Sequence, residues 1–378
     1  MNDLQGVTAA AEPPLARRLH AVGRKLGTPI SGTFELTAGC NFNCEMCYIH
    51  DQNAAPCADG ELTAAQWLEI GRQAADAGTV FLLLTGGEPL LRPDFAEIYT
   101  GLRKLGLMVS VNTNGSLLTG ETARLFEENP PMRLNVSLYA DSREGYRRQC
   151  GADAFDRVLA NIRRMQDAGV EVKLNAAFTP QNADRSRELG DLIKELGLHC
   201  QASFYMYPPV RRDGDAKTFA RLAPDRAAKL RVSWAQRRSG GADLLQTAKL
   251  LQAESAPECE AEDAPAEGIR CRAGHTAYWV NARGRMLMCG MIPLDCGNVL
   301  TEGFARCWQN TRALTRSVTM PKKCAVCGLR AVCCVCPAAC FAETGDFGTA
   351  PPDLCEMSRG IAAELRRLTE ERKHVETE

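Results

Sequence analysis

Three cysteines within eight residues form the group best suited to chemistry: Cys40, Cys44 and Cys47, in the stretch CNFNCEMC. Thiolates this close together cannot all pair as disulfides, and such soft ligands suit zinc or an iron–sulfur cluster. A tetrahedral zinc ion or a four-iron cluster takes four ligands. The sequence therefore predicts a metal centre with one position open to a ligand other than protein. If His50 or Cys57 supplies a fourth ligand, the loop is instead a structural zinc site.

Short alternating elements are expected to position this loop. Residues 33–37, between Gly32 and Gly39, alternate as a short strand does. From there to residue 206 the patterns predict six strands separated by helices, which is typical of parallel β/α units. The predicted strands are 33–37, 80–85, 108–112, 133–139, 171–178 and 199–206, and the helices are 61–77, 95–105, 119–128, 154–168 and 186–196.

Polar and glycine-rich features follow several predicted strands at their C-terminal ends. They are the cysteine loop, the turn formed by Gly86, Gly87, Glu88 and Pro89, the tip 112–114, and Ser137. Ligands bind at this edge in parallel β/α folds, so we expect these features to share one site. The two glycines would let the backbone approach a ligand closely, and Glu88 would meet a cationic amine.

The cysteine loop, Tyr48 after its third cysteine, and the glycine turn together resemble the radical S-adenosylmethionine (SAM) superfamily over about residues 33–206. The resemblance implies an α/β fold with a partial (β/α)6 TIM-like barrel. It implies a four-iron cluster on the loop, SAM on the fourth iron, and a 5′-deoxyadenosyl radical that abstracts a substrate hydrogen. The residues expected to bind SAM are Gly86, Gly87, Glu88, Pro89, Tyr48, Ser137, Asn112 and Asn175. The last three also suit ordinary strand-end or turn roles.

A second cysteine-dense region, 271–355, resembles the SPASM domain, which binds two auxiliary four-iron clusters. The resemblance assigns Cys324, Cys327, Cys333 and Cys355 to the second cluster, and Cys271, Cys289 and Cys336 to the first. The run 333–336 departs from the usual spacing by one residue, and Ala277 stands where a fourth ligand occurs in some members. The fourth ligand of the first cluster is therefore Cys340 or Cys296, or that iron is open. Zinc on the two Cys-x-x-Cys pairs is the alternative.

These patterns divide the chain into five segments. They are an N-terminal extension (1–29), the radical SAM barrel (30–207), a helical linker (208–268), the SPASM domain (269–358) and a C-terminal helix (359–378). A hairpin is expected around 281–284, and helices at 225–238 and 243–253. Otherwise the cysteine-rich region is expected to lack long periodic elements.

Composition and charge limit which partners and which cellular compartment we expect for the protein. Among 378 residues, 45% are apolar and the net charge is −1, and the sequence contains no long basic run or 18-residue apolar stretch. We therefore expect neither nucleic-acid binding nor a membrane span. The eighteen cysteines lie in a chain without a recognisable export signal, which favours metal in a reducing cytoplasm over disulfides.

By resemblance, the expected reaction is the modification of a peptide or protein by crosslinking, oxidation or epimerisation, with flavodoxin or ferredoxin as electron donor. The extension before the barrel is too short for a leader-binding domain, so a leader would need a separate partner protein. Arginines 147, 148, 211 and 212 and the tyrosines 139, 205 and 207 are candidate substrate contacts. The alternatives are a small-molecule substrate such as an amino sugar, or a non-catalytic binding protein structured by zinc.

Overall fold

The computed structural model describes residues 14–49, 60–209, 220–239 and 268–375. Among these, six parallel strands alternate with helices up to residue 203. The strands are β1 (Ser31–Glu35), β2 (Phe81–Thr85), β3 (Met108–Thr113), β4 (Arg133–Ser137), β5 (Val172–Ala177) and β6 (His199–Ser203). The α/β alternation predicted from the sequence is confirmed.

The helices of this half agree with the predicted ones except in two places. They are α1 (Pro14–Leu26), α2 (Ala64–Asp76), α3 (Phe95–Lys104), α4 (Gly120–Glu128), α5 (Arg143–Cys150), α6 (Phe155–Asp167) and α7 (Ser186–Glu195). Thr63 caps α2 through a capping box with Gln66. Helices α1 and α5 were not predicted from the sequence.

The strands belong to one nine-stranded sheet in the order β6-β5-β4-β3-β2-β1-β7-β8-β9. Strand β7 (Ala277–Val280) pairs in parallel with β1, and β8 (Arg285–Cys289) and β9 (Ile292–Asn298) follow in antiparallel order. The hairpin predicted around 281–284 is thus present between β7 and β8. Its pairing with β1 joins the cysteine-rich part to the barrel.

The two faces of the parallel strands differ in chemistry. Val111, Val136 and Leu174 point to one face and are fully buried against the helices. Side chains of the opposite parity, such as Asn112, Ser137 and Asn175, are polar and half-buried. Because successive strand residues alternate between faces, the inner wall of this partial barrel is polar.

The C-terminal half is more helical than predicted. Its helices are α8 (Pro224–Ser239), α9 (Val299–Glu302), α10 (Phe304–Ser317), α11 (Lys322–Ala325), α12 (Pro337–Thr344) and α13 (Pro352–Val375). The expectation that residues 271–355 lack long periodic elements is wrong, because α10 alone has fourteen residues and buries Phe304, Cys307 and Trp308. Helix α13 begins at Pro352, before the predicted start, and therefore includes Cys355.

One continuous hydrophobic core extends through the barrel and into the C-terminal helices. Helix α8 packs on α13, and a Cβ at Gly360 would stand 2.8 Å from that of Ala228, so the two helices approach closely at this glycine. The second predicted linker helix, 243–253, lies outside the described residues. In the described ranges, every helix is too short or too polar to span a bilayer.

Candidate active site

The cysteine loop leaves the C-terminal end of β1 and is held at its start by a buried ion pair. Glu61 accepts hydrogen bonds from the Thr37 hydroxyl (3.0 Å) and the Ala38 amide (2.8 Å). Arg92 lies 3.7 Å from Glu61, and its side chain is almost fully buried. It also donates to the carbonyl of Leu36 at 2.9 Å. No sequence pattern pointed to either charged residue, because their pairing is long-range.

The middle of the loop is held by the tip that follows β3. Asn114 donates to the Asn41 side chain at 2.8 Å, and Asn41 donates to the Ser116 hydroxyl at 2.9 Å. The predicted polar tip at residues 112–114 therefore contacts the cysteine loop directly. Two features that the sequence separates by some seventy residues lie together at the rim of the barrel.

The three thiols of the loop lie close enough to influence one another. Burial, together with the charges of Glu88, Cys44 and Cys47, raises the pKa of Cys40 to about 12. All sixteen cysteines in the described residues are free thiols. Within those residues, no three ligand side chains converge as a single ion requires. A four-iron cluster does not need such convergence, because each thiolate binds a different iron.

A buried hydroxyl beside the loop lacks a partner. Tyr146 is fully buried, and within the described residues its hydroxyl makes no hydrogen bond. Burial raises its pKa, and nearby Cys150, Cys44, Tyr139 and Glu88 raise it further. Buried polar groups normally have partners, so the space beside the thiols suits a group that carries acceptor atoms. The sulfurs of an iron–sulfur cluster are such acceptors.

The glycine turn packs on the start of the cysteine loop. The amide of Gly87 donates to Thr37 O and that of Glu88 to Gly39 O, both at 2.8 Å. A Cβ at Gly87 would lie 2.2 Å from Gly39 O, and one at Gly86 would lie 2.5 Å from Thr37 O. At both glycines the place of a Cβ is therefore taken by the neighbouring backbone, and the amides of Gly87 and Glu88 already have acceptors. Binding of SAM at this turn stays a prediction.

Glu88 is fully buried and joins the turn to the end of β3. Its carboxylate accepts from the Asn114 amide (2.7 Å), the Thr113 hydroxyl (2.8 Å) and the Leu90 amide (3.1 Å). Burial raises its pKa to about 7, although these donors lower it. In this arrangement the carboxylate orders the rim, rather than standing exposed for an amine as the sequence analysis expected. Pro89, also buried, starts a short 3-10 helix.

The inner wall brings together three of the predicted SAM-binding residues. Ser137 is the register neighbour of Asn175, and Asn112 that of Asn135. Asn135 donates to the Asn112 side chain at 2.9 Å. The three predicted residues therefore form a continuous polar patch on β3, β4 and β5. Tyr48 is half-buried at the end of the loop.

Tyr139 closes this patch. Its hydroxyl donates to Ser137 at 3.0 Å. Burial raises its pKa, and the charges of Cys44, Cys150 and Cys47 raise it further, which places it next to the loop thiols.

The four cysteines predicted to hold the second auxiliary cluster lie close enough for their charges to influence one another. Burial, together with the charges of Cys333, Cys355 and Cys327, raises the pKa of Cys324 to about 11. Burial raises the pKa of Cys355. Nearby Lys323 lowers it, and the charges of Cys333 and Cys327 raise it. Cys324 lies on α11 and Cys355 on α13, so the long C-terminal helix contributes to this group.

A second group surrounds Cys336. Although the residue Cys271 is exposed as a whole, its thiol is withdrawn from water, which raises its pKa, and Cys336 raises it further. Cys289 and Cys336 pack on the same small apolar cluster. Burial raises the pKa of Cys340 to about 12, and Cys336 is the strongest of the charges that add to this.

The remaining cysteines of this half point elsewhere. Cys296 lies near Cys307 and Thr311 in the packing of α10. Cys334 is next to the buried Arg231 of α8, which lowers the Cys334 pKa against the larger effect of burial. In the run 333–336, Cys333 thus faces the group around Cys324, and Cys334 faces Arg231. Cys336 faces the group that includes Cys340.

Several candidate residues do not face the site. Arg147 pairs with Asp153 at 3.0 Å and Arg148 with Glu144 at 3.4 Å, on the exposed side of α5. They are solvated ion pairs, not substrate contacts. The basic pair 211–212, together with His50 and Cys57, lies outside the described residues.

Comparison with known proteins agrees with this site. Residues 34–221 match the model of the radical SAM superfamily. The AdoMet-dependent heme synthase of Methanosarcina barkeri (AdoMet is SAM) is 30% identical over 331 residues, which are 83% of this chain and 93% of that protein. The chain belongs to the radical SAM superfamily. It is therefore an enzyme, and the alternative of a non-catalytic protein structured by zinc is set aside.

Other relatives extend the likeness. The AdoMet-dependent heme synthase of Oleidesulfovibrio alaskensis is 26% identical over 85% of this chain and 86% of its own. Streptococcus suis SuiB bound to S-adenosylmethionine has a TM-score of 0.65 at 18% identity, covering 89% of this chain and 80% of that one. Native anSMEcpe with AdoMet and the Cp18Cys peptide has a TM-score of 0.68 at 16% identity, covering 91% and 99%.

The structural likeness covers the cysteine-rich half as well as the barrel. The recognition of a radical SAM enzyme with a C-terminal SPASM domain, made from the sequence, is thus confirmed.

Proposed function

We propose that Cys40, Cys44 and Cys47 hold a four-iron cluster that reduces SAM at the C-terminal rim of the barrel. The cluster, when bound, supplies the electron that splits SAM into methionine and the 5′-deoxyadenosyl radical that abstracts a substrate hydrogen. The observation that carries this proposal is the placement of three thiols on one loop beside a polar inner wall.

Residues of the chain prepare this site in distinct ways. Glu88 fixes the glycine turn and the tip after β3 in one arrangement. Ser137, Asn112 and Asn175 offer hydroxyl and amide groups suited to the ribose and amino-acid parts of SAM. Tyr139 keeps water from the thiols, which protects a reactive radical from side reactions.

We further propose two auxiliary clusters in the C-terminal half. Cys324, Cys327, Cys333 and Cys355 would hold one of them. Cys271, Cys289, Cys336 and Cys340 would hold the other, with Cys340 preferred to Cys296 because it lies beside Cys336. Proximity of the thiols supports both sets.

A peptide or protein is the proposed substrate. The support is the likeness to SuiB, solved with its precursor peptide SuiA, and to anSMEcpe, solved with a peptide, over both halves of the chain. Modification would then be a crosslink, an oxidation or an epimerisation. We also propose flavodoxin or ferredoxin as the electron donor, a separate protein that binds any leader peptide, and a location in the reducing cytoplasm.

A precursor of heme is the second candidate. It is favoured by the named activity of the relatives that match nearly the full length of the chain, at identities of 30% and 26%. A heme precursor is a specific case of the small-molecule alternative. Its binding would need cationic groups in the site that pair with acidic side chains of the precursor.

Anaerobic reconstitution followed by reduction with SAM tests the enzyme. We expect 5′-deoxyadenosine, and about twelve irons per chain for three four-iron clusters. Alanine at Cys40, Cys44 and Cys47 together should remove about four irons and all SAM cleavage. The matched control is alanine at the buried Cys200. Full iron loading without 5′-deoxyadenosine would refute the proposed reaction.

Substrate identity is tested with deuterated candidates. Peptides encoded beside the gene and heme precursors are incubated separately with the loaded enzyme. Transfer of deuterium into 5′-deoxyadenosine, together with a mass change in the candidate, identifies the substrate class. Transfer from the heme precursor alone would refute the peptide proposal.

A further inference from the structure

Cationic side chains line the inner wall of the barrel at the N-terminal ends of its last three strands. Arg133 lies on β4 with the parity of Ser137, and Lys173 lies on β5 with the parity of Asn175, so both point to the inner face. Lys173 is the register neighbour of His199 on β6. All three side chains are half-buried. They therefore form a row on the inner wall, closer to the N-terminal ends of the strands than the polar patch is.

Arg238, in the last turn of α8, lies next to this row. Its guanidinium is over the Trp234 ring, with Cζ 6.0 Å from the ring centroid. Burial lowers the pKa of His199, and the charges of Lys173, Arg238 and Arg133 lower it further. Burial also lowers the pKa of Lys173, and Arg133 adds to this effect. We call Arg133, Lys173, His199 and Arg238 the cationic patch.

Within the described residues, no carboxylate forms an ion pair with Arg133, Lys173 or Arg238. Lys173 donates instead to the Gln201 side chain at 2.8 Å. Glu171 precedes β5 with the same parity as Lys173, but it is exposed and unpaired with the patch. The patch therefore holds several like charges without a counter-charge, and an anion bound there would relieve their mutual repulsion.

Two nitrogens of the patch are buried without a partner. The Nε2 of His199 and the Nε of Arg238 are shielded from water and make no hydrogen bond within the described part of the chain. Buried polar atoms normally have partners. An acceptor bound at the patch would satisfy the Arg238 Nε–H, and also His199 in the tautomer that carries its proton on Nε2.

The inner wall is open to solvent beside β6. Gln201 and Ser203 have the same parity as His199, and both are exposed. Strand β6 is also the last strand at its end of the sheet. A ligand can therefore reach the patch along the inner face of β6.

We propose that the cationic patch binds a carboxylate group of the substrate inside the barrel. Arginine and lysine form short, charge-assisted hydrogen bonds with carboxylates. Lys173 lies two residues before Asn175, which is roughly 7 Å along the strand, so a substrate held here lies next to the polar patch where we expect SAM. The proposal therefore rests on the proposed function. A peptide would supply the carboxylate from an aspartate or glutamate side chain, and a heme precursor from its acidic side chains.

The test is equilibrium binding to the reconstituted protein, measured by fluorescence anisotropy at constant ionic strength. Two pairs of probes are used, each with a charged and a neutral member. One pair is a porphyrin dicarboxylate and its dimethyl ester, and the other is a labelled glutamate-rich peptide and its glutamine counterpart. We expect the charged member of at least one pair to bind about tenfold tighter than the neutral member, or more.

Lys173→Gln should remove most of this preference, because it takes away the central charge of the row. Lys173→Arg keeps the charge and should keep the preference. Arg133→Gln removes another charge of the patch and answers the same question if Lys173→Gln does not fold, which thermal unfolding shows. The matched control is Arg226→Gln, since Arg226 also lies on α8 but pairs with Asp184 at 2.6 Å on the surface.

A preference within the peptide pair assigns the carboxylate to a peptide side chain, and a preference within the porphyrin pair assigns it to a heme precursor. Equal affinities within both pairs would overturn the proposal. So would a preference that survives both Lys173→Gln and Arg133→Gln, or one that Arg226→Gln weakens to the same extent.

The outcome is separable from that of the proposed function. An absence of 5′-deoxyadenosine in the loaded, unmodified protein refutes the function. A loaded protein that forms 5′-deoxyadenosine but shows no preference for the charged probes refutes only this inference.

Discussion

The hydroxyl of Tyr207, just beyond the last barrel strand, lies 3.9 Å from the Sγ of Cys336. Burial raises the Tyr207 pKa, and Cys336 and Cys334 raise it further, so the hydroxyl keeps its proton and is available as a donor. The edge of the barrel therefore touches a proposed ligand of an auxiliary cluster.

Tyr207→Phe should alter the EPR signal of the auxiliary cluster at Cys336 and leave the SAM-sensitive signal unchanged. The physical reason is the loss of a hydrogen-bond donor to one ligand sulfur. The control is Tyr205→Phe, because the Tyr205 hydroxyl bonds to Glu343 at 2.8 Å. A change confined to the SAM-sensitive signal would contradict the assignment.

Cys340→Ala and Cys296→Ala should behave differently. Cys340 lies beside Cys336, whereas Cys296 lies beside Cys307. We expect only Cys340→Ala to change the iron content or the spectrum of the first auxiliary cluster. If the two variants are indistinguishable, or if Cys296→Ala alone loses iron, Cys340 is not the fourth ligand of that cluster.

Gly87→Ala should disrupt the junction between the glycine turn and the cysteine loop. Its Cβ would stand 2.2 Å from the backbone oxygen of Gly39, which cannot rotate away. We expect a loss of about 1–3 kcal/mol in unfolding free energy and at least tenfold slower SAM cleavage. Denaturant unfolding and 5′-deoxyadenosine yield measure these effects. Gly268→Ala, where a Cβ meets open space, should change neither quantity.

Glu88 should make stability depend on pH. Its pKa in the folded protein is about 7, above the ordinary 4.5, so the folded state holds the proton more tightly. Its stabilising contribution is complete below about pH 4.5 and is lost as the pH rises through about 7. Between pH 6 and pH 8 we expect a fall of roughly 1 kcal/mol in unfolding free energy.

Glu88→Gln removes this titration. Anaerobic urea unfolding at several pH values should give the variant a flatter profile than the unmodified protein. Identical slopes would show that the carboxyl is already ionised at pH 6.

Local patterns were sufficient for most of the barrel. The apolar run at residues 80–85 predicted β2, and the pattern at residues 61–77 predicted α2. Helix α5 was missed because its sequence, REGYRRQC, is short and strongly polar, although Tyr146 and Cys150 are buried. Its place beside the cysteine loop is set by tertiary contacts that no local pattern records.

Long-range pairing accounts for the other differences. The buried Arg92 and Glu61 read as ordinary surface charges in the sequence, and only the fold brings them together. The glycines at 86 and 87 were recognised as important, but the group they approach is the backbone at Thr37 and Gly39. Composition alone does not show whether a glycine lies against a ligand or against a neighbouring strand.

The pairing of β1 with β7 also bears on how the protein is made. Ser31 has Phe81 as its partner on one edge and Ala277 on the other. During synthesis, the strand that leads into the cysteine loop therefore keeps one open edge until most of the chain has left the ribosome. Open edges invite wrong pairing, and domains complete such distant contacts slowly. For the cluster proposed on this loop, we therefore expect iron–sulfur loading to follow the closure of that edge by the cysteine-rich half.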